Sequence, residues 1–133
     1  MNRLYDVLDL AGRILIGALF VWDGWLALGN YAGTQGYVEQ YGVPGALLPL
    51  ALATQLGGGI LVIIGLWTRL AALALAGFCL FTAFVFHAFR PDIMEQIQFW
   101  KDVGLAGGFL VLLAHGAGAI SADARLFGAR PKG

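Results

Sequence analysis

The chain has 133 residues, of which 59% are apolar and 12% charged, and its formal net charge is zero. Soluble domains carry about 25% charged residues, so this composition, with a mean hydropathy of +0.78, excludes an ordinary soluble domain. The balanced charge excludes a basic nucleic-acid surface.

A bilayer core of about 30 Å asks for about 20 mostly apolar residues per helix. Four stretches meet that requirement, roughly 7–28, 46–67, 70–89 and 99–120. They predict a single domain, 1–133, of the all-α class: an antiparallel four-helix bundle in the membrane, with the lipid bilayer as its first partner. The first stretch is too long for the apolar region of a signal peptide and carries Arg13 and Asp23, so it reads as a retained helix. Asp9 lies one turn before Arg13, the favourable order for a helical ion pair, and Asp9 with Arg13 is therefore read as a structural pair. Asp23 follows the apolar run Ile14 to Trp22 with no basic residue within a turn of it. Its partner is expected on another helix, with Lys101 and His87 as the candidates.

Between the first and second stretches, Thr34 can cap a short helix through Tyr41 that Gly42 and Pro44 stop. Tyr37, Val38 and Tyr41 share one side of it, which predicts a helix lying at the membrane interface. The second stretch holds Gln55 and the run Gly57-Gly58-Gly59. Glycine makes up 20 of the 133 residues, and in lipid such small residues let helices pack closely. The third stretch holds the lone Cys79, read as a small buried hydrophobe, and ends near His87. The fourth holds Lys101, Asp102 and His115.

Ionisable groups at membrane depth cost about 2.5–3.5 kcal/mol each even on the lenient insertion scale. Four antiparallel spans bring Asp23, His87, Lys101 and Asp102 into the same half of the bundle, with Gln55 near mid-depth. Trp22, Trp25 and Trp100 belong near the same interface, as an anchoring belt or as the wall of an entrance. The candidate ligand-binding set is thus Asp23, His87, Lys101, Asp102, Gln55, Trp22 and Trp100. No catalytic residue is assigned, because no nucleophile has a base at useful spacing. No metal site is assigned either: His87 and His115 fall at opposite levels and no E-x-x-H pattern occurs. Arg3, Arg69, Arg125, Arg130 and Lys132 share one side, so the positive-inside rule predicts both termini in the cytoplasm.

Several segments, taken in order, resemble the DoxX family of small bacterial four-helix membrane proteins. They are Ala11-Gly12-Arg13-Ile14-Leu15, Tyr31-Ala32-Gly33-Thr34, Tyr41-Gly42-Val43-Pro44-Gly45, Gly65-Leu66-Trp67-Thr68-Arg69, Thr82 through His87, Gln98-Phe99-Trp100-Lys101 and Ser121-Ala122-Asp123. The resemblance implies a bacterial inner-membrane location and a link to quinone chemistry, as in the small subunit of thiosulfate:quinone oxidoreductase, quinone-resistance proteins and membrane partners of oxidative-stress enzymes. Quinone is the one cofactor it suggests, and any oxidoreductase role would be that of an accessory subunit. Two departures stand out: similar members have a lysine where this chain has Ala27 and a glutamate where it has Gln55. Three functions follow in order of preference. The first is a quinone-linked or redox-stress accessory that binds a small amphiphile in an outer-half pocket. The second is a non-catalytic partner subunit of a membrane complex or homo-oligomer, stapled by Asp23 and Lys101. The third is a small-solute transporter.

Overall fold

The computed structural model describes residues 3–88 and 90–128. Among them there is no strand. Helix α1 runs Arg3–Gly29, α2 Tyr31–Gln40, α3 Leu48–Ile64, α4 Thr68–Thr82, α5 Ile93–His115 and the short α6 Ala122–Phe127. A 3₁₀ turn at Gly45–Leu47 leads into α3, and a π-helical segment at Ala83–His87 extends α4. Phe89, where the third stretch was expected to end, and the tail cations Arg130 and Lys132 lie outside the described residues.

Three helical segments are long and apolar enough to cross a membrane, Gly45–Ile64, Thr68–His87 and Ile93–His115. The longest helix, α1, packs along α3; α3 packs on α4, and α4 along α5. Large apolar side chains turn outward over these helices, with Leu15 75% and Leu70 68% exposed. A soluble protein would hide such continuous apolar faces.

Local chemistry sets the boundaries. Pro49 sits in the first turn of α3, where its missing N–H costs nothing, and Gly65 ends that helix in the left-handed conformation (φ 74°). Helix α5 begins at Ile93 rather than near Phe99, because the Asp92 carboxylate accepts from the Met94 amide at 2.9 Å. It stops at Gly116, whose φ of 80° breaks the helix before Ile120. Helix α2 begins at Tyr31, not after Thr34. The Thr34 hydroxyl lies inside the helix and donates back to the Asn30 carbonyl at 2.9 Å.

The buried face of α1 is Arg13, Gly17, Phe20 and Gly24, a stripe at helical spacing. Phe20 meets Phe109 of α5 edge-on, with ring centroids 5.3 Å apart, in a core completed by Val62, Ala72, Leu75 and Cys79. A Cβ on Gly17 would stand 2.8 Å from the Gly59 carbonyl oxygen, so here the backbones of α1 and α3 nearly touch.

A polar clamp closes the end of the bundle where α1 begins. Arg13, only 2% exposed, donates to the carbonyls of Val62 at 3.3 Å and Ile63 at 3.2 Å, and to that of Ile120. Its bonds therefore run to the main chain, and Asp9 attracts it only through space. Asp123 caps α4 from the far end of the chain, its carboxylate accepting from the amides of Trp67 at 2.7 Å and Thr68 at 3.0 Å. The Asp123 amide answers by donating to the Gly65 carbonyl at 2.8 Å. Truncation of a capping carboxylate costs about 0.5–2 kcal/mol. The Asp123→Ala variant is therefore expected to melt measurably below wild type in detergent, while exposed Arg125→Ala does not.

Candidate functional site

From the contact of Phe20 with Phe109 toward Asp23, the space between α1 and α5 is a cavity of about 1610 Å³. Its floor and walls are mostly apolar, with Phe20, Phe78, Phe81 and Phe86 contributing rings. Polar groups enter it from each of the helices α1 to α5.

On α1 and α3, Gly24 is buried against Leu56, with the Gln55 side chain beside it. That close approach brings Asp23 to Gln55, whose Nε2 donates to the Asp23 carboxylate at 2.7 Å. Gln55 is 6% exposed. The expected cross-helix partner of Asp23 was a cation, yet its contact is this amide. The reason is adjacency: α1 lies on α3, whereas Lys101 and His87 belong to the opposite wall. Among the described residues Lys101 forms no ion pair, and its exposed side chain stands at the cavity rim.

The opposite wall is a chain of four side chains. The π-helical turn widens the end of α4, a distortion that frequently marks functional sites, and His87 closes it. The Nδ1 of His87 is 2.6 Å from the Glu95 carboxylate, and its Nε2 is 3.8 Å from that of Asp102. Asp102 accepts from the Thr82 hydroxyl at 3.2 Å; that hydroxyl also reaches the Cys79 carbonyl at 3.0 Å. His87, Glu95 and Asp102 are each less than one third exposed. Among the described residues no three metal-ligand side chains converge on one point.

Helix α2 covers the Asp23 end of this space. Tyr37 stacks on Phe86 at 5.5 Å and Tyr41 meets the same ring edge-on at 5.0 Å. The Arg90 guanidinium lies 4.5 Å above the Tyr41 ring and donates to the Phe86 carbonyl at 2.8 Å. Burial, with the Tyr41 hydrogen bond, pushes the Tyr37 hydroxyl up to about 12, so it remains a neutral donor. The side of α2 carrying Tyr37, Val38 and Tyr41 thus faces the bundle.

Five of the expected site residues, Asp23, Gln55, His87, Lys101 and Asp102, line one cavity. Trp22 and Trp100 do not line it; both are exposed, at 62% and 68%. Sequence reasoning missed Glu95 and Thr82. Glu95 was placed in a loop, although Asp92 followed three residues later by Glu95 is the spacing of a capping box, which puts Glu95 in the first turn of α5. Thr82 carries no comparable signal. The arrangement is a polar wall inside an apolar, ring-lined pocket, which suits the head of an amphiphile.

The DoxX family model matches residues 8–88. Inner membrane protein YqjF of Escherichia coli (strain K12) is 45% identical over 123 residues, covering 92% of this chain and 95% of that protein. Inner membrane protein YphA of the same organism is 33% identical over 126 residues, covering 90% of each. No solved structure matches the chain significantly.

Proposed function

The chain belongs to the DoxX family, and from that premise we propose that it is a multi-pass protein of the bacterial inner membrane whose cavity binds a small amphiphile of the quinone type, as an accessory to redox chemistry carried out elsewhere. The observation that carries this reading is the cavity itself. A space of about 1610 Å³ inside an apolar bundle has no structural use for Asp23, Gln55, His87, Glu95 and Asp102 along its walls, where each costs desolvation. Ala27 and Gln55, where the resemblance implies a lysine and a glutamate in other members, both line that cavity. In the alternative of a partner subunit that docks through its exposed helix faces, the staple would not be Asp23–Lys101, because Asp23 bonds to Gln55.

Binding of a decyl-benzoquinone to the purified protein, by calorimetry in detergent, tests the proposal. Wild type is expected to bind, and Gln55→Leu and Asp102→Asn are each expected to weaken binding about tenfold, the equivalent of 1.4 kcal/mol. Absent binding, or affinity unchanged in both variants, would overturn it.

Both termini are assigned to the cytoplasm, because Arg3, Arg69 and Arg125 lie at the Arg13 end and the opposite end carries Arg90 with Glu39, Asp92 and Glu95. A fluorescent protein fused after Gly133 is expected to glow, and alkaline phosphatase at the same point to be inactive. The reverse pattern would invert the topology.

A further inference from the structure

Resting on the amphiphile reading, the geometry points to a sharper one: the cavity selects the hydroxyl-bearing, reduced form of an aromatic ligand over its carbonyl-bearing, oxidised form. We infer this from a count of hydrogen-bond capacity on the wall. Gln55 spends one of its two amide N–H groups on Asp23, and no described donor reaches its Oε1, although the residue is more than nine-tenths buried. The second oxygen of Asp23, of Asp102 and of Glu95 is likewise without a donor among the described residues, since each carboxylate's contact is made by one oxygen alone. Asp23, Gln55, Glu95 and Asp102 all line the cavity, and none of these oxygens is fully sealed in protein.

Most donors on the same wall are already committed. The His87 Nδ1 faces Glu95, and the single Thr82 proton is shared between Asp102 and the Cys79 carbonyl. The Tyr37 hydroxyl is engaged with Tyr41; the uncommitted donors are the second Gln55 N–H and, on exposed residues, Lys101 and the amides of Asn30 and Gln98. Asp23 is itself an exposed residue; among the groups that are not exposed, the free oxygens of Gln55, Glu95 and Asp102 outnumber the one free Gln55 N–H. A quinone carbonyl is an acceptor only and would leave these oxygens unsatisfied; a hydroquinone brings two O–H donors to them. Discrimination of this kind is strong, because the wrong form strands buried polar groups on both sides. Flat aromatic walls from Phe20, Phe78, Phe81 and Phe86 favour a ring over an aliphatic head.

The test compares decyl-hydroquinone, kept reduced under anaerobic conditions, with the corresponding decyl-quinone on the full-length protein in lipid nanodiscs. The two share ring and tail and differ only in the head. Wild type is expected to bind the hydroquinone at least tenfold more tightly. Gln55→Leu and Asp102→Asn, each checked by its melting transition, are expected to reduce that ratio severalfold. Equal affinities, or a tighter quinone, overturn this inference and leave the amphiphile reading standing. Binding of neither form overturns the amphiphile reading itself. A ratio unchanged in both folded variants overturns the assignment of these acceptors. Displacement of the hydroquinone by equimolar decylamine would show selection for a cation and would also overturn it.

Discussion

Arg13→Met is expected to be the most destabilising single substitution in the chain. The guanidinium is 2% exposed and bridges three main-chain carbonyls, two at the end of α3 and one at Ile120 in the segment after α5. Hydrogen bonds to a charged donor contribute about 1.5–3 kcal/mol each. Removing one partner of a buried charged network costs roughly 3–5 kcal/mol. The carbonyls at the end of a helix have no intrahelical partner, so methionine leaves them stranded beside a hydrocarbon chain. The expected result is a melting temperature in detergent lowered by about 10 °C or more. Arg13→Lys should recover less than half of the loss, because one ammonium cannot reach three carbonyls as a planar fork does. Asp9→Asn separates this account from a helical ion pair. An isolated pair of that kind contributes about 0.2–0.5 kcal/mol, so a small shift is expected. If Asp9→Asn destabilised the protein as much as Arg13→Met, the carbonyl clamp would not be what holds this end.

The contrast between Arg13 and Asp23 shows where sequence reasoning reached and where it stopped. Helices were legible because lipid imposes a length of about 20 apolar residues. Their ends were not, since the second stretch ran to 67 past Gly65 and the fourth to 120 past Gly116, where glycines at positive φ stop α3 and α5. The polar half of the bundle was legible because antiparallel spans fix depth: Asp23, Gln55, His87, Lys101 and Asp102 do line one cavity. Pairings were not legible, since depth does not say which helix stands beside which. Charge complementarity pointed Asp23 toward Lys101, but α1 lies against α3, and the nearest polar side chain there is an amide. Local spacing likewise pointed Arg13 toward Asp9, while the deciding contacts come from carbonyls distant in sequence. Asp123 was passed over for the same reason. It caps α4 across a separation that no local pattern records.

The second large effect is expected at the crossing of α1 and α3, where packing and the candidate site meet. A Cβ on Gly59 would fall 2.9 Å from the Gly17 carbonyl oxygen and 3.0 Å from a methyl of Val21; one on Gly17 would fall 2.8 Å from the Gly59 carbonyl oxygen. Both collisions involve backbone, which cannot step aside as a side chain can, so the helices must separate. Overpacking of this kind costs about 1–3 kcal/mol, and the two sites share one contact, so their effects should not add. Gly57 is the control, one residue-pair away on α3 with nothing within 4 Å of the added Cβ. There alanine removes the helix penalty of glycine, about 1 kcal/mol, and should be neutral or stabilising. The consequence for the site follows from geometry. Asp23 and Gln55 meet at 2.7 Å because α1 and α3 are held at glycine distance. Gly59→Ala is therefore expected to weaken hydroquinone binding even at temperatures where the variant is fully folded, whereas Gly57→Ala leaves it unchanged. Equal melting shifts in the two alanine variants would mean that the close approach of α1 and α3 does not govern stability. Undiminished binding in folded Gly59→Ala would mean that it does not set the Asp23–Gln55 contact.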